Sequence, residues 1–130
     1  MEIERFILEI ELLRLRYGKV YCDDDLSQWV HIVEFDLPYG WDRKTTQLLI
    51  EIPPAYPNTP PYDFFVDQRL RTRDGRKPRH YEEYSKHRKE GWAWLCLHIH
   101  SWKPRTNVVD GDNLLKVCEC IYIELTELCL

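Results

Sequence analysis

A run of prolines between residues 53 and 61 restricts the fold more than any other feature of the chain. Five of the eight prolines fall there, at Pro53, Pro54, Pro57, Pro60 and Pro61. Proline lacks a backbone N–H and fixes φ, so neither a helix nor a central strand can pass through this stretch. The sequence therefore predicts a rigid, irregular connector here, with regular structure before and after it.

Apolar spacing on either side of this connector predicts a helix, four strands and a second helix. Strands are expected at 19–22, 29–35, 45–52 and 63–66, and a helix that an aspartate caps, either Asp110 or Asp112, is expected to follow. The first helix is indicated by apolar residues at helical spacing, namely Ile3, Phe6, Ile7, Ile10 and Leu13. This order predicts an α+β protein with a four-stranded antiparallel meander, forming one domain over residues 1–130.

Composition and cysteine spacing argue against several classes of protein. No apolar run approaches the roughly 20 residues that cross a bilayer, and the opening MEIERF lacks the features of a signal peptide. We therefore expect a cytoplasmic protein with no membrane partner. The five cysteines show no CxxC spacing, so reduced thiols are favoured over a disulfide framework or a thiolate zinc site.

Charge is distributed unevenly along the chain. Between residues 69 and 90 there are nine Lys or Arg against four Asp or Glu, although the net charge of the whole chain is -4. This span is consistent with a solvated loop or with a docking surface for an acidic protein partner. The overall acidity disfavours a nucleic-acid partner.

The stretch WLCLHIHSW, residues 94–102, places one cysteine and two histidines at alternate positions. In an extended segment, side chains two apart share a face, so Cys96, His98 and His100 would point the same way. A zinc site is disfavoured because their Cα atoms would be about 7 Å apart, too far for convergent ligands without distortion. A nucleophilic cysteine with a nearby base and a plain buried cysteine remain as alternatives.

Four short motifs, taken in order, resemble those of the ubiquitin-conjugating (E2, or UBC) fold. Residues 23–29 (DDDLSQW) resemble the D-x-L-x-x-W that enters the second strand, and residues 56–61 (YPNTPP) resemble the Y-P-x-x-P-P loop after the third. Residues 95–97 (LCL) are similar to the frame of the acceptor cysteine, and residues 102–104 (WKP) to the W-x-P that follows it. The resemblance implies a UBC-like fold with an active-site loop before the C-terminal helix.

The implied activity is thioester exchange at Cys96. Its thiolate would accept a ubiquitin-like protein from an E1-like activating enzyme and pass it to an amine on a protein substrate, without a metal or organic cofactor. The family usually carries a His-Pro-Asn shortly before the cysteine, whose Asn stabilises an oxyanion. Here that window contains no Asn, so either His87 or Arg88 supplies the donor or the chain lacks this device. His98 is a candidate for proton transfer.

The resemblance also implies surfaces that bind partners. Arg5, Arg14 and Arg16 lie on the first helix, which in the family helps to dock the E1. Asn58 and Pro104 lie in loops that contact ligases. The polar Asn58 replaces a bulky apolar residue of members that bind RING-type ligases, and a RING ligase is therefore disfavoured.

Bacterial relatives that also lack the Asn occur in operons beside E1-like, ubiquitin-like and JAB-type peptidase genes. The resemblance thus implies a bacterial ubiquitin-like pathway, with antiviral defence as a candidate setting. The alternative is a catalytically inactive UBC-like or RWD-like protein-binding module. The missing Asn favours this alternative, whereas the cysteine in its Leu-Cys-Leu frame opposes it.

Overall fold

A five-stranded antiparallel sheet lies between two helices in the chain order. The computed structural model describes residues 3–23, 28–79, 81 and 91–130. The elements are α1 (Ile3–Tyr17), β1 (Val20–Cys22), β2 (Trp29–Asp36), β3 (Thr45–Glu51), β4 (Asp63–Asp67), β5 (Trp92–Cys96) and α2 (Leu114–Leu128), with a short 3₁₀ turn at Val108–Asp110. The strands pair in sequence order. This arrangement confirms the α+β class and fits the UBC-like fold.

The predicted number of strands was wrong, because the segment that ends at the cysteine is itself a strand. Strand β5 pairs with β4 so that Cys96 lies opposite Asp63, and Trp94 lies opposite Phe65. Ala93 and Leu95 are buried while their neighbours are partly exposed. This period-2 pattern is typical of a half-buried strand, and it adds a fifth strand to the predicted meander.

One apolar cluster joins both helices to the inner face of the sheet. Residues buried in it include Phe6, Ile10 and Leu13 from α1, Val117, Ile121 and Leu125 from α2, and Ile32, Leu48, Ile50, Phe64 and Val66 from the strands. Each such side chain contributes about 1.5–3 kcal/mol by leaving water. Within the described ranges, no helix combines the length and apolar character that crossing a bilayer requires.

The proline connector is irregular, as predicted. It consists of turns between β3 and β4, and the peptide bond between Tyr56 and Pro57 is cis. Backbone bonds inside the connector include one from Tyr56 N–H to the carbonyl of Pro53, at 2.9 Å. Tyr56 itself is buried, so the connector is anchored to the core by an aromatic ring.

The cap of α2 differs from the prediction. Asn113 caps the helix, and its side chain accepts a hydrogen bond from Lys116 N–H. Asp110 ends the 3₁₀ turn, whereas the Asp112 carboxylate accepts from Lys103 N–H at 2.6 Å. The predicted caps were wrong because α2 begins directly after Asn113, and the Asp112 carboxylate is already bonded to Lys103 N–H.

Candidate active site

Cys96 is the last residue of β5 and lies outside the core. Its side chain is partly exposed, whereas the flanking Leu95 and Leu97 are buried. After the strand ends, Leu97 N–H donates to the carbonyl of Tyr62 at 2.9 Å. The cysteine is therefore held between two fixed apolar side chains, at the point where a strand gives way to an irregular segment.

The face that carries Cys96 also carries Asp63, because directly opposed residues of paired strands point to the same side of a sheet. The Asp63 carboxylate accepts a hydrogen bond from the Trp94 indole at 2.8 Å. Trp94 precedes Cys96 by two positions and lies on this face as well. The immediate surroundings of the cysteine on the sheet are thus a tryptophan and an oriented carboxylate.

The two histidines after Cys96 continue the alternation but leave the sheet. His98 and His100 are exposed, and neither ring makes a hydrogen bond or ring contact with a described residue. In the part of the chain that the structure describes, no three His, Cys, Asp or Glu side chains are grouped so that they could hold a metal ion. His87 and Arg88, the predicted oxyanion donors, lie outside the described residues.

The other cysteines lie in different environments, and none of the five is in a disulfide. Cys118 is fully buried in α2, and this burial raises the pKa of its thiol to about 12. Burial also raises the pKa of Cys120. Because the thiolate is the nucleophilic form, neither thiol suits thioester exchange at neutral pH.

A buried ion pair on α1 joins this helix to the proline connector and to α2. Arg5 and Glu9 are 6% and 1% exposed, and Arg5 Nε donates to Glu9 Oε2 at 2.9 Å. Glu9 Oε1 accepts from Leu114 N–H at 2.6 Å and from the hydroxyl of Tyr56. Burial raises the pKa of Glu9, and the donors from Tyr56, Leu114 and Arg5 oppose this shift.

The segment between Cys96 and α2 is held by a second set of bonds. The Trp102 indole donates to the carbonyl of Pro57 at 2.6 Å. The remaining Arg5 contacts run to the carbonyls of Arg105 and, at 3.1 Å, Asp112. Gly111 approaches Arg105 so closely that a Cβ there would lie 2.7 Å from Arg105 Cγ, so this position requires glycine.

Three of the five predicted partner-binding residues meet at one cleft. It has a volume of about 190 Å³ and is lined by Arg5, Pro57, Asn58, Pro104, Arg105 and Thr106. Asn58 and Arg105 are exposed, whereas the guanidinium of Arg5 is turned inward to Glu9. The cleft is polar, and the exposed Arg105 places positive charge at its rim.

Arg14 and Arg16 lie apart from that cleft, near the end of α1. Arg14 donates to the carbonyl of Val20 at 3.1 and 3.2 Å and pairs with Glu11 at 2.8 Å. Arg16 is more exposed, and its nearest carboxylate oxygen, on Asp36, is 3.9 Å away. Of the two, Arg16 has the side chain that a partner can reach more easily.

Glu9 is a site residue that was not predicted from the sequence. A signal was present, because Glu9 falls between Phe6, Ile10 and Leu13 on the apolar stripe of α1. A carboxylate on such a stripe must find donors in the interior. The sequence did not say which donors these would be, since Tyr56 and Leu114 are 47 and 105 residues away.

Helix, five-stranded meander, proline loop and a cysteine before the last helix define an E2-like protein. In agreement with this class, the sequence matches the family model for prokaryotic E2 family E over residues 12–122. The chain belongs to this family, whose E2-like character implies a conjugating role with an E1-like enzyme and a ubiquitin-like protein. Neither the curated proteins nor the solved structures that were searched gave a match.

Proposed function

We propose that this protein carries a ubiquitin-like protein as a thioester on Cys96 and transfers it to an amine of a protein substrate. The observation that supports this most is the position of Cys96, partly exposed at the exit of β5 between two buried leucines. A cysteine kept only as a small apolar residue would be expected in the core, where Cys118 lies. Family membership supports the same reaction class.

The first step is an exchange between two thioesters. The Cys96 thiolate attacks the carbonyl carbon of the ubiquitin-like protein's thioester, forming a new C–S bond. The tetrahedral intermediate collapses by breaking the bond to the E1 sulfur, which leaves as a thiolate. No energy source beyond the E1 thioester is needed, so the proposal includes no cofactor.

The second step transfers the acyl group to an amine. The amine nitrogen attacks the same carbon, loses a proton and expels the Cys96 thiolate as the amide forms. The developing oxyanion needs a donor, for which we propose His87 or Arg88. His98 follows Cys96 by two residues and is exposed, so we propose it as the group that accepts the amine proton.

The experiment that tests this function is a charging assay. The protein is mixed with its cognate E1, the ubiquitin-like protein and ATP, and is then separated on gels with and without reductant. We expect an adduct of one-to-one mass that reductant removes and that a free amine such as lysine discharges. If an E1 shown to be charged itself yields no such adduct, the protein is a binding module and the enzymatic proposal fails.

We further propose two separate docking surfaces. The exposed Arg16 at the end of α1 would contact the E1, together with Arg14. The cleft with Asn58 and Pro104 would receive a protein that acts in the transfer step, and its exposed Arg105 favours acidic side chains. The two surfaces involve different ends of α1, so different partners can occupy them.

Two substitutions are expected to separate these surfaces. Arg16→Glu should raise the KM for the charged E1 several-fold with little change in kcat, because it reverses a charge that acts in encounter. Asn58→Asp should leave charging unchanged and slow only the transfer to a protein substrate. Arg76→Glu is the matched control, since Arg76 is exposed and pairs only with Asp74 among the described residues. An unchanged KM in Arg16→Glu, or unchanged transfer in Asn58→Asp, removes the corresponding surface.

A further inference from the structure

We propose that Glu9 and Tyr56 are positioning residues for Cys96, acting through hydrogen bonds that join α1 to the proline connector and to the segment that follows the cysteine. The expected effect on the transfer rate rests on the proposed function. The expected effect on the position of the Cys96 thiol does not, because it concerns the folded protein alone. Neither residue is placed to touch the reacting atoms.

The first link is the carboxylate of Glu9, a buried residue that is only 1% exposed. One oxygen accepts from Arg5 and the other accepts from both Tyr56 and Leu114. A carboxylate saturated in this way is fixed in orientation, because moving it would leave a buried donor unpaired. It therefore ties the connector before β4 to a defined place on α1.

The second link runs from Tyr56 to the chain after the cysteine. Tyr56 is followed by Pro57, whose carbonyl accepts from the Trp102 indole, and the rings of Tyr56 and Trp102 lie 6.1 Å apart between centroids. Directly after the connector, the Tyr62 carbonyl accepts from Leu97 N–H. The connector and the residue after it are therefore hydrogen-bonded to Leu97 and Trp102, which follow Cys96 by one and six residues.

The third link is Arg5, which binds the segment between Cys96 and α2. Arg5 donates to the carbonyls of Arg105 and Asp112, and Asp112 in turn holds Lys103 through its carboxylate and its backbone N–H. The segment that leads from Cys96 to α2 is therefore bound to α1 by Arg5 and to the connector by Trp102. Both attachments meet at the Arg5–Glu9 pair.

A buried ion pair is not a strong source of stability, and well-packed apolar residues often serve as well. What it provides here is a set of directional bonds to three separate segments. In a transfer reaction the attacking amine and the thioester carbon must be aligned within about 1 Å, and a misplacement of this size can cost about a hundredfold in rate. The network is suited to that requirement, since it fixes the segment that follows Cys96 at Trp102, Arg105 and Asp112.

The test compares two variants that each remove one buried hydroxyl. Tyr56→Phe deletes the donor to Glu9 but keeps the ring against Trp102. Tyr81→Phe is the matched control, because the Tyr81 hydroxyl is also buried and bonds to Asp67 and Leu70. Asp67 pairs with Trp92, at the far end of the β4–β5 pair from Cys96. Circular dichroism and thermal melting establish that both variants are folded at the assay temperature.

Two rates are then measured for each variant. The first is alkylation of Cys96 by iodoacetamide in the native protein, followed by peptide mass spectrometry. The second is discharge of the Cys96 thioester to free lysine. We expect Tyr56→Phe to change the alkylation rate at least threefold and to slow discharge about tenfold without altering the KM for the E1. Tyr81→Phe should leave both rates within a factor of two of the wild type.

Equal effects of the two variants, or no effect of Tyr56→Phe on either rate, would overturn the positioning role. If the wild-type protein forms no thioester at all, the proposed function has failed and the discharge rate cannot be measured. The alkylation rate still decides the inference in that case, because that measurement needs neither E1 nor ubiquitin-like protein. The two failures are therefore distinguishable.

Discussion

Replacing Glu9 by alanine should lower the free energy of unfolding by about 3–5 kcal/mol, the usual cost of removing one partner of a buried ion pair. The change leaves the Arg5 guanidinium buried at 6% exposure without its counter-charge. It also removes the acceptor of two further buried donors, Leu114 N–H and the Tyr56 hydroxyl. Urea denaturation followed by tryptophan fluorescence would measure the loss.

Glu11→Ala is the control for this prediction. Glu11 lies half a turn further along α1 and also pairs with an arginine, Arg14, at 2.8 Å, but both side chains are largely exposed. An exposed pair contributes about 0–1 kcal/mol, so this variant should stay close to the wild type. Equal losses in the two variants would show that the buried network contributes nothing beyond an ordinary helix surface.

A double-mutant cycle refines the same prediction. Arg5→Met and Glu9→Gln should each be costly alone, because each leaves its former partner uncompensated in the interior. The double variant should cost less than the two singles together, by about 1–3 kcal/mol. Strict additivity would mean that the two side chains do not depend on each other, contrary to the 2.9 Å contact between them.

Local patterns were enough to predict most of the fold. The helix at the N-terminus follows from apolar residues at helical spacing, and the irregular connector follows from prolines that lack a donor. The fifth strand, Trp92–Cys96, was not predicted. Its alternation of buried Ala93 and Leu95 is a strand signal, but five residues are too few to be decisive without the partner strand.

The candidate site was predictable only in part, for a different physical reason. Cys96 could be singled out because a local motif surrounds it. The bonds that hold its neighbourhood are non-local, since Glu9 meets Tyr56 and Leu114 only after the chain has folded. Arg5 illustrates the consequence: the resemblance suggested a surface contact, whereas the side chain is buried and occupied by Glu9 and two carbonyls. We therefore assign the E1-docking proposal to Arg14 and Arg16.

Replacing Cys96 by alanine should abolish the reducible adduct in the charging assay, with at least a hundredfold loss of product. Alanine has no nucleophile, and Cys118 and Cys120 are poor substitutes, because burial raises the pKa of both thiols. Cys96→Ser gives a sharper result. A serine hydroxyl in the same place should form a slower adduct that resists reductant but is cleaved by mild alkali, as an oxygen ester is.

Cys120→Ala is the matched control for the cysteine assignment, since Cys120 is also partly exposed but lies on α2. It should charge at the wild-type rate. An adduct that persists in Cys96→Ala and disappears in Cys120→Ala would place the acceptor on the helix and refute the site. Loss of the adduct in both alanine variants would mean that Cys120 is also required, contrary to a single acceptor at Cys96. The serine variant thus tests the position of the nucleophile independently of the chemistry of sulfur.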